Sequence, residues 1–358
     1  MVDVERQADP ARRRIFKTLA ALLPSLIGCA AVVALLIHQE RLVVDLENGI
    51  VRFQTPPTYL EEPGHEVSGH RYLYDAHLGW RNIPSWKSST HGRTLTINSK
   101  GLRDREYRFE RTPGVPRMLV LGDSFTWGYG VSDEEIFTEV MEQAFTDAGT
   151  PWEVVNSGVS GWGTDQEYLF LRREGFRYRP DLLILAFYVN NDPLEVSASV
   201  TYGMGKPYFA STNLGQPFPP TVASPGEQIR WLENRQPLAV TLALVGGIQE
   251  ECRKLGAQMV LMKFGVFGHE ENPIATEFST EFLAATRTTL PEISILDLDL
   301  EFSAAGLTHE QVFNGNHDRH WNAFGHRFVA DALRRHLVAT GLAEVGQGTP
   351  GSKGGASL

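Results

Sequence analysis

Five short apolar runs, each too short for a helix and each followed or preceded by a stretch of helical periodicity, constrain this chain more than any other feature. They lie at 118–121, 152–156, 182–187, 258–263 and 293–296, and the helical stretches lie near 134–148, 165–174, 238–255, 276–289 and 322–338. Runs that are apolar throughout, rather than alternating, read as strands buried on both faces, so the pattern predicts a parallel sheet covered by helices on each side. Open sheets of that kind hold their ligands outside the carboxyl ends of the strands, and the residues just after each run are where chemistry is expected.

Composition narrows the field. Of 358 residues, 42% are hydrophobic, enough for a substantial core. The formal net charge of -10, with no Lys/Arg-rich block in the main body, argues against a nucleic-acid partner. The two cysteines are Cys29, inside an apolar run, and Cys252, on a predicted helix, so neither a disulfide framework nor a cysteine metal site is indicated.

Ahead of the sheet region, residues 18–37 carry no charge over twenty positions, a helix of about 30 Å that is long enough to cross a bilayer. Arg6, Arg12, Arg13, Arg14 and Lys17 precede this run and only Arg41 follows closely. The positive-inside rule then leaves residues 1–17 in the cytoplasm and the body of the protein outside the cytoplasmic membrane, on a single-pass anchor. The competing reading, a cleaved signal peptide, is disfavoured by the length of the run, by Pro24 and by the absence of a small-x-small site after it.

Residues 38–70, with Pro56-Pro57 and Pro63-Gly64, read as a stalk, and 71–116 as a small β-ribbon extension containing Gly79-Trp80 and the turn Asn98-Ser99-Lys100-Gly101. The α/β domain occupies 117–342. A Gly-, Pro- and aromatic-rich insertion at 197–236 is placed to form a rim or lid, and 343–358 reads as a disordered tail.

Four stretches at strand ends carry groups suited to nucleophilic catalysis. Gly122-Asp123-Ser124 offers a hydroxyl directly after the first strand. The segment 156–163 supplies glycines whose amides can face a ligand, Asn190-Asn191-Asp192 supplies amide donors, and Asp318-Arg319-His320 supplies an imidazole with an acid two residues away. A serine needs a base to take its proton, and the imidazole needs an acceptor on its other nitrogen.

In this order and setting the four blocks resemble the SGNH or GDSL hydrolases, over residues 117 to about 337, with features of a membrane-anchored subset that has an N-terminal extension. The resemblance implies a flavodoxin-like three-layer α/β/α sandwich with a five-stranded parallel sheet. It further implies Ser124, His320 and Asp318 as catalytic residues, with Ser124, Gly161 and Asn191 as oxyanion donors. Two departures are visible: the acid stands two residues before the histidine rather than three, and Val189 replaces the glycine of the asparagine block. The two-residue spacing is similar to that of SGNH-like proteins that O-acetylate envelope polysaccharides.

The expected function is therefore serine-dependent hydrolysis of carboxylic esters, on an ester-bearing small molecule, a lipid or an acetylated polysaccharide, with no metal or organic cofactor. The alternatives are an O-acyltransferase acting on envelope polysaccharide and a non-catalytic carbohydrate-binding protein on the same fold. Plainer roles stand beside these. Ser124 would cap a helix, Asp123 and Asp192 would fix turns, and His317, His320 and His326 with Asp318 would ligate a metal. Trp127, Trp162 and Trp321 would be core or a sugar-stacking rim.

Overall fold

The five apolar runs form one parallel sheet in the computed structural model, which describes residues 31–34, 42–45, 50–53 and 72–344, apart from 91–92, 222, 225, 234–235, 270 and 316–317. Its strands are β1 (Arg117–Leu121), β2 (Glu153–Asn156), β3 (Leu182–Tyr188), β4 (Gln258–Phe264) and β5 (Ser294–Asp297). They are ordered β2-β1-β3-β4-β5 across the sheet, the flavodoxin-like order. The strand sequence reverses between β1 and β3, which is where such sheets open a crevice for a ligand.

Pairing is in continuous register, Met118 beside Leu182 through Leu121 beside Leu185, and Val260 beside Ser294 through Lys263 beside Asp297. Side chains alternate across the pleat, so each strand feeds two cores. Leu119, Leu121, Leu183, Leu185 and Leu261 face one side, packed against α3 (Thr164–Arg173), α5 (Pro237–Leu255) and α6 (Pro273–Thr289). Met118, Val120, Ile184, Val260 and Met262 face the other, against α2 (Phe137–Asp147) and α9 (Ala323–Ala339). Single-turn helices α1 (Ser124–Trp127), α4 (Asp192–Glu195) and α8 (His309–Val312), and the two-turn α7 (Leu298–Ala304), complete the sandwich.

The chain divides into two compact units, residues 1–58 and 59–358. In the first, part of the stretch read as a stalk forms an antiparallel hairpin, Leu42–Asp45 with Ile50–Phe53. The β-branched residues around Asn48-Gly49 are a hairpin signal in the sequence that the Pro-rich context obscured. The transmembrane helix expected over 18–37 lies outside the described residues except for the helical turn at 31–34. Among the described residues no helix is long and apolar enough to cross a membrane. Of the tail expected at 343–358, residues 345–358 lie outside the description, and Ala343 is buried in the core.

The extension at 71–116 is two hairpins rather than one ribbon: Tyr72–Asp75 with Gly79–Asn82, and Lys87–Thr90 with Arg93–Thr96. Pro84 and Ser85, the latter at φ 58, separate them, and proline cannot continue a ladder. This extension braces the domain. Trp80 Nε1 donates to the Ser160 carbonyl at 3.1 Å, and Trp162 Nε1 donates to the Trp80 carbonyl at 2.9 Å. Asp104 accepts from the Asn156 amide at 2.7 Å. The fully buried Arg103 guanidinium donates to the carbonyls of Trp127 at 3.2 Å, Gly128 at 2.6 Å, Val131 at 2.7 Å and Thr94 at 3.2 Å, and pairs with Asp133 at 3.0 Å.

Two predictions follow from buried polar groups. Arg103→Met leaves four carbonyl oxygens without this donor and should cost about 3–5 kcal/mol in urea unfolding; a loss below about 1 kcal/mol would show that the extension does not hold the loop after Ser124. His326 is fully buried and accepts from the Phe137 amide at 3.3 Å, and burial pushes its imidazole down to about 3. A depressed imidazole favours the neutral folded form, so this contribution is complete above about pH 6.5 and shrinks as pH falls from there toward 3. Between pH 7 and pH 5 the wild type should therefore lose about 2 kcal/mol more than His326→Gln. Equal losses in the two proteins would refute the buried neutral histidine.

Candidate active site

Ser124 opens α1 directly after β1, at the point where strand order reverses, and it is 8% exposed. The chain turns sharply enough that a Cβ on Gly122 would lie 2.1 Å from Thr126 Oγ1, and one on Gly158 would lie 2.5 Å from the Trp127 nitrogen. Only glycine permits these approaches. Asp123 is the N-cap: Oδ1 accepts from the Phe125 amide at 2.9 Å, and Oδ2 accepts from Asn191 Nδ2 at 2.8 Å. Burial pushes its carboxyl up from the ordinary range, and the Asn191 and Phe125 hydrogen bonds oppose that shift. Asp123 thus fixes the turn and joins the ends of β1 and β3, as its plainer reading had it.

The base comes from the far end of the chain. Phe313 and Trp321 form an isolated bridge, Asn314 N donates to the His320 carbonyl at 2.9 Å, and Asn322 caps α9 by accepting from Gly325 N at 2.9 Å. This closed loop presents His320 with Nε2 2.7 Å from Ser124 Oγ and Nδ1 2.7 Å from Asp318 Oδ1. Asp318 Oδ1 also accepts from the His320 amide at 3.1 Å, so the two-residue spacing lets one carboxylate engage both the backbone and the ring of the same histidine. The rings of Phe125 and Tyr129 lie against the imidazole, with centroids 4.8 and 4.5 Å away. The Asp318 side chain is 41% exposed and that of His320 26%, so this edge of the site opens to solvent.

The donors that the resemblance names are Ser124, Gly161 and Asn191. Gly161 has φ +79, a backbone conformation suited to glycine. Among the described residues neither the Ser124 nor the Gly161 amide donates to another protein group. Asn191 carries two amide hydrogens: one is given to Asp123, and the side chain also engages the Tyr202 hydroxyl. Asn190 is turned away: its Nδ2 donates to the Gly265 carbonyl and its Oδ1 accepts from Asn272 at 2.9 Å. Asp192 is internal, accepting from the Tyr188 amide at 2.6 Å and from Thr164 Oγ1 at 3.0 Å.

Behind these donors is a group of buried carboxyls that periodicity does not reveal. Glu167 is 1% exposed, with both oxygens lacking a hydrogen-bond partner among the described residues, and Glu195 accepts from Tyr202 at 2.7 Å. Burial pushes Glu167 and Asp192 well above the usual carboxylate range and Glu195 up to about 8. Asp165 pairs with the fully buried Lys206, which the insertion supplies. Carboxyls held toward the neutral acid place less negative charge beside a site that would stabilise an anion.

Trp127, Trp162 and Trp321 are each 1% exposed and belong to the core, so none forms a sugar-stacking rim. Trp162 and Trp321 pack into the cores on either side of the sheet, and Trp127 packs against Leu95 and Ile97 of the extension. His326 lies on the buried face of α9 and its ring stacks on Phe137 of the second core, while His317 lies outside the described residues. No group of three or more His, Cys, Asp or Glu side chains among the described residues is placed to hold a metal.

The model of the GDSL-like lipase/acylhydrolase family matches residues 120–328. No curated protein matches the chain. Among solved structures, it is similar to the lipase/acylhydrolase from Enterococcus faecalis, at 14% identity over 65% of this chain and 100% of that one, with a TM-score of 0.43. Similar values hold for TesA, at 14% identity over 62% and 98% with a TM-score of 0.43. A catalytic mutant of the acetylxylan esterase Axe2 from Geobacillus stearothermophilus matches at 16% identity over 62% and 94%, with a TM-score of 0.42. The matched family segment runs from within β1, before the serine turn, into α9, past the histidine loop, and covers more than half of the chain, which therefore belongs to the GDSL-like lipase/acylhydrolase family.

Proposed function

We propose that the protein is a serine-dependent carboxylic ester hydrolase. The observation that carries this reading is the continuous hydrogen-bonded chain Ser124 Oγ, His320, Asp318, with both links at 2.7 Å. His320 Nε2 takes the Ser124 proton as Oγ attacks the ester carbonyl carbon, while Asp318 stays ionised and holds the Nδ1 proton. The negative charge that forms on the carbonyl oxygen is met by the Ser124 and Gly161 amides and by the Asn191 side-chain amide. His320 then gives its proton to the departing alcohol. In the second half it takes a proton from water, whose oxygen attacks the acyl-serine, and returns it to Ser124 as the acid is released. Every step uses groups of this chain, and no cofactor enters.

We further propose that this domain works outside the cytoplasmic membrane from an N-terminal anchor. The uncharged run at 18–37 behind a basic segment supports that placement. In cells expressing the full chain, protease added to intact spheroplasts should degrade the domain; protection until lysis would place it inside.

The enzymatic reading is tested with p-nitrophenyl acetate and longer p-nitrophenyl esters. Ser124→Ala and His320→Ala should lower kcat/KM by about 10³-fold or more, and Asn191→Ala by about 10²-fold with little change in KM. Hydrolysis that survives Ser124→Ala would remove the nucleophile assignment. Acetyl transfer to an oligosaccharide in place of hydrolysis would move the protein to the O-acyltransferases.

A further inference from the structure

The insertion after β3 carries a small three-stranded sheet of its own. Its first part is a tight hairpin, Ala198–Thr201 with Met204–Gly205, closed by Tyr202 and Gly203 at φ 51 and 75. Two consecutive residues at positive φ are what a two-residue primed hairpin turn requires, and Asn or Gly at its first position would meet that demand without strain. A tyrosine there adopts a backbone conformation unfavourable to its own side chain. Residues held in such conformations cluster at functional sites, where the surrounding structure holds them in place.

The Tyr202 side chain shows what it is held against. Its Cδ2 and Cε2 lie 3.1 Å from where a Cβ on Gly161 would sit, so the ring packs against the Cα of a residue proposed as an oxyanion donor. Its hydroxyl donates to Glu195 Oε1 at 2.7 Å, which ties the ring to α4, the helix capped by Asn191. Tyr202 also engages the Asn191 side chain, yet it remains 46% exposed. Leu194, at 51% exposure, precedes Glu195 on the same helix.

In the reaction derived above, His320 stands on the alcohol side of the tetrahedral carbon, because it must protonate that oxygen. The oxyanion lies toward Gly161 and Asn191, and the remaining substituent, the acyl chain, leaves on the side away from His320. We propose that Tyr202 is the specificity-determining residue for the acyl group: its ring walls off the space beyond Gly161 and restricts the enzyme to short acyl chains, acetyl first among them. This inference rests on the ester-hydrolase reading.

The test compares kcat/KM for p-nitrophenyl octanoate with that for p-nitrophenyl acetate in the wild type and in Tyr202→Gly, Tyr202→Asn and Tyr202→Phe. The Gly and Asn variants relieve the backbone and suit the turn, so folding is retained and thermal unfolding checks it. The octanoate-to-acetate ratio should rise at least about tenfold in both, because a pocket that rejects methylenes discriminates by about that factor for each. Tyr202→Phe keeps the wall and should leave the ratio within about threefold of the wild type. An unchanged ratio in folded Gly and Asn variants of an enzyme that hydrolyses acetate overturns the role of Tyr202 alone. A wild type that hydrolyses none of these esters overturns the esterase reading and this inference with it.

Discussion

The site depends on where the Asp123 carboxylate is held. One oxygen closes the turn that presents Ser124, and the other fixes the Asn191 amide at the end of the neighbouring central strand. A buried carboxylate is costly, and it is tolerated here because its hydrogen bonds tie together two loops that the strand order has already brought side by side. The glycines at 122 and 158 let the backbone come close enough for this to happen. Any side chain at either position would push the turn away from the second loop.

The sandwich supplies the platform, and the N-terminal extension supplies the frame. Trp80 donates to Ser160 and accepts from Trp162 across the loop that carries Gly161, Arg103 gathers the carbonyls that follow α1, and Asp104 holds the end of β2. These contacts fall on the loops around Ser124 and Gly161, so two of the three proposed oxyanion donors are buttressed from outside the sheet. The insertion reaches the third side through Lys206 and Tyr202. In this arrangement the hydrolase chemistry occupies loops, while their positions are set by segments before and after the strands that carry them.

Much of this was legible in the residues, and the limits have physical causes. Strands such as 182–188 and helices such as 237–255 are long or uniformly apolar, so periodicity places them to within a few residues. Ser124, His320 and Asp318 were visible because each follows a strand or precedes a helix with the right chemical type. Asn190 and Asn191 are alike by type; the resemblance singles out Asn191, and the contacts of Asn190 with Gly265 and Asn272 turn that side chain elsewhere. The tryptophans at 127, 162 and 321 are alike in sequence whether they face core or solvent. The bracing roles of Trp80 and Arg103 depend on partners tens of residues away, and the sheet within the insertion pairs 198–201 with 230–231, a separation that no local pattern encodes. Glu167 sits in an ordinary amphipathic helix and gives no local sign that it is buried.

The most direct measurement of the central claim is covalent trapping. A fluorophosphonate reacts with a serine whose proton is taken by a neighbouring base, and peptide mass spectrometry of the labelled full-length protein locates the adduct. The account predicts a single adduct on Ser124, lost when His320 is replaced by alanine in a protein that remains folded. An adduct on another residue, or undiminished labelling of Ser124 without His320, would contradict it.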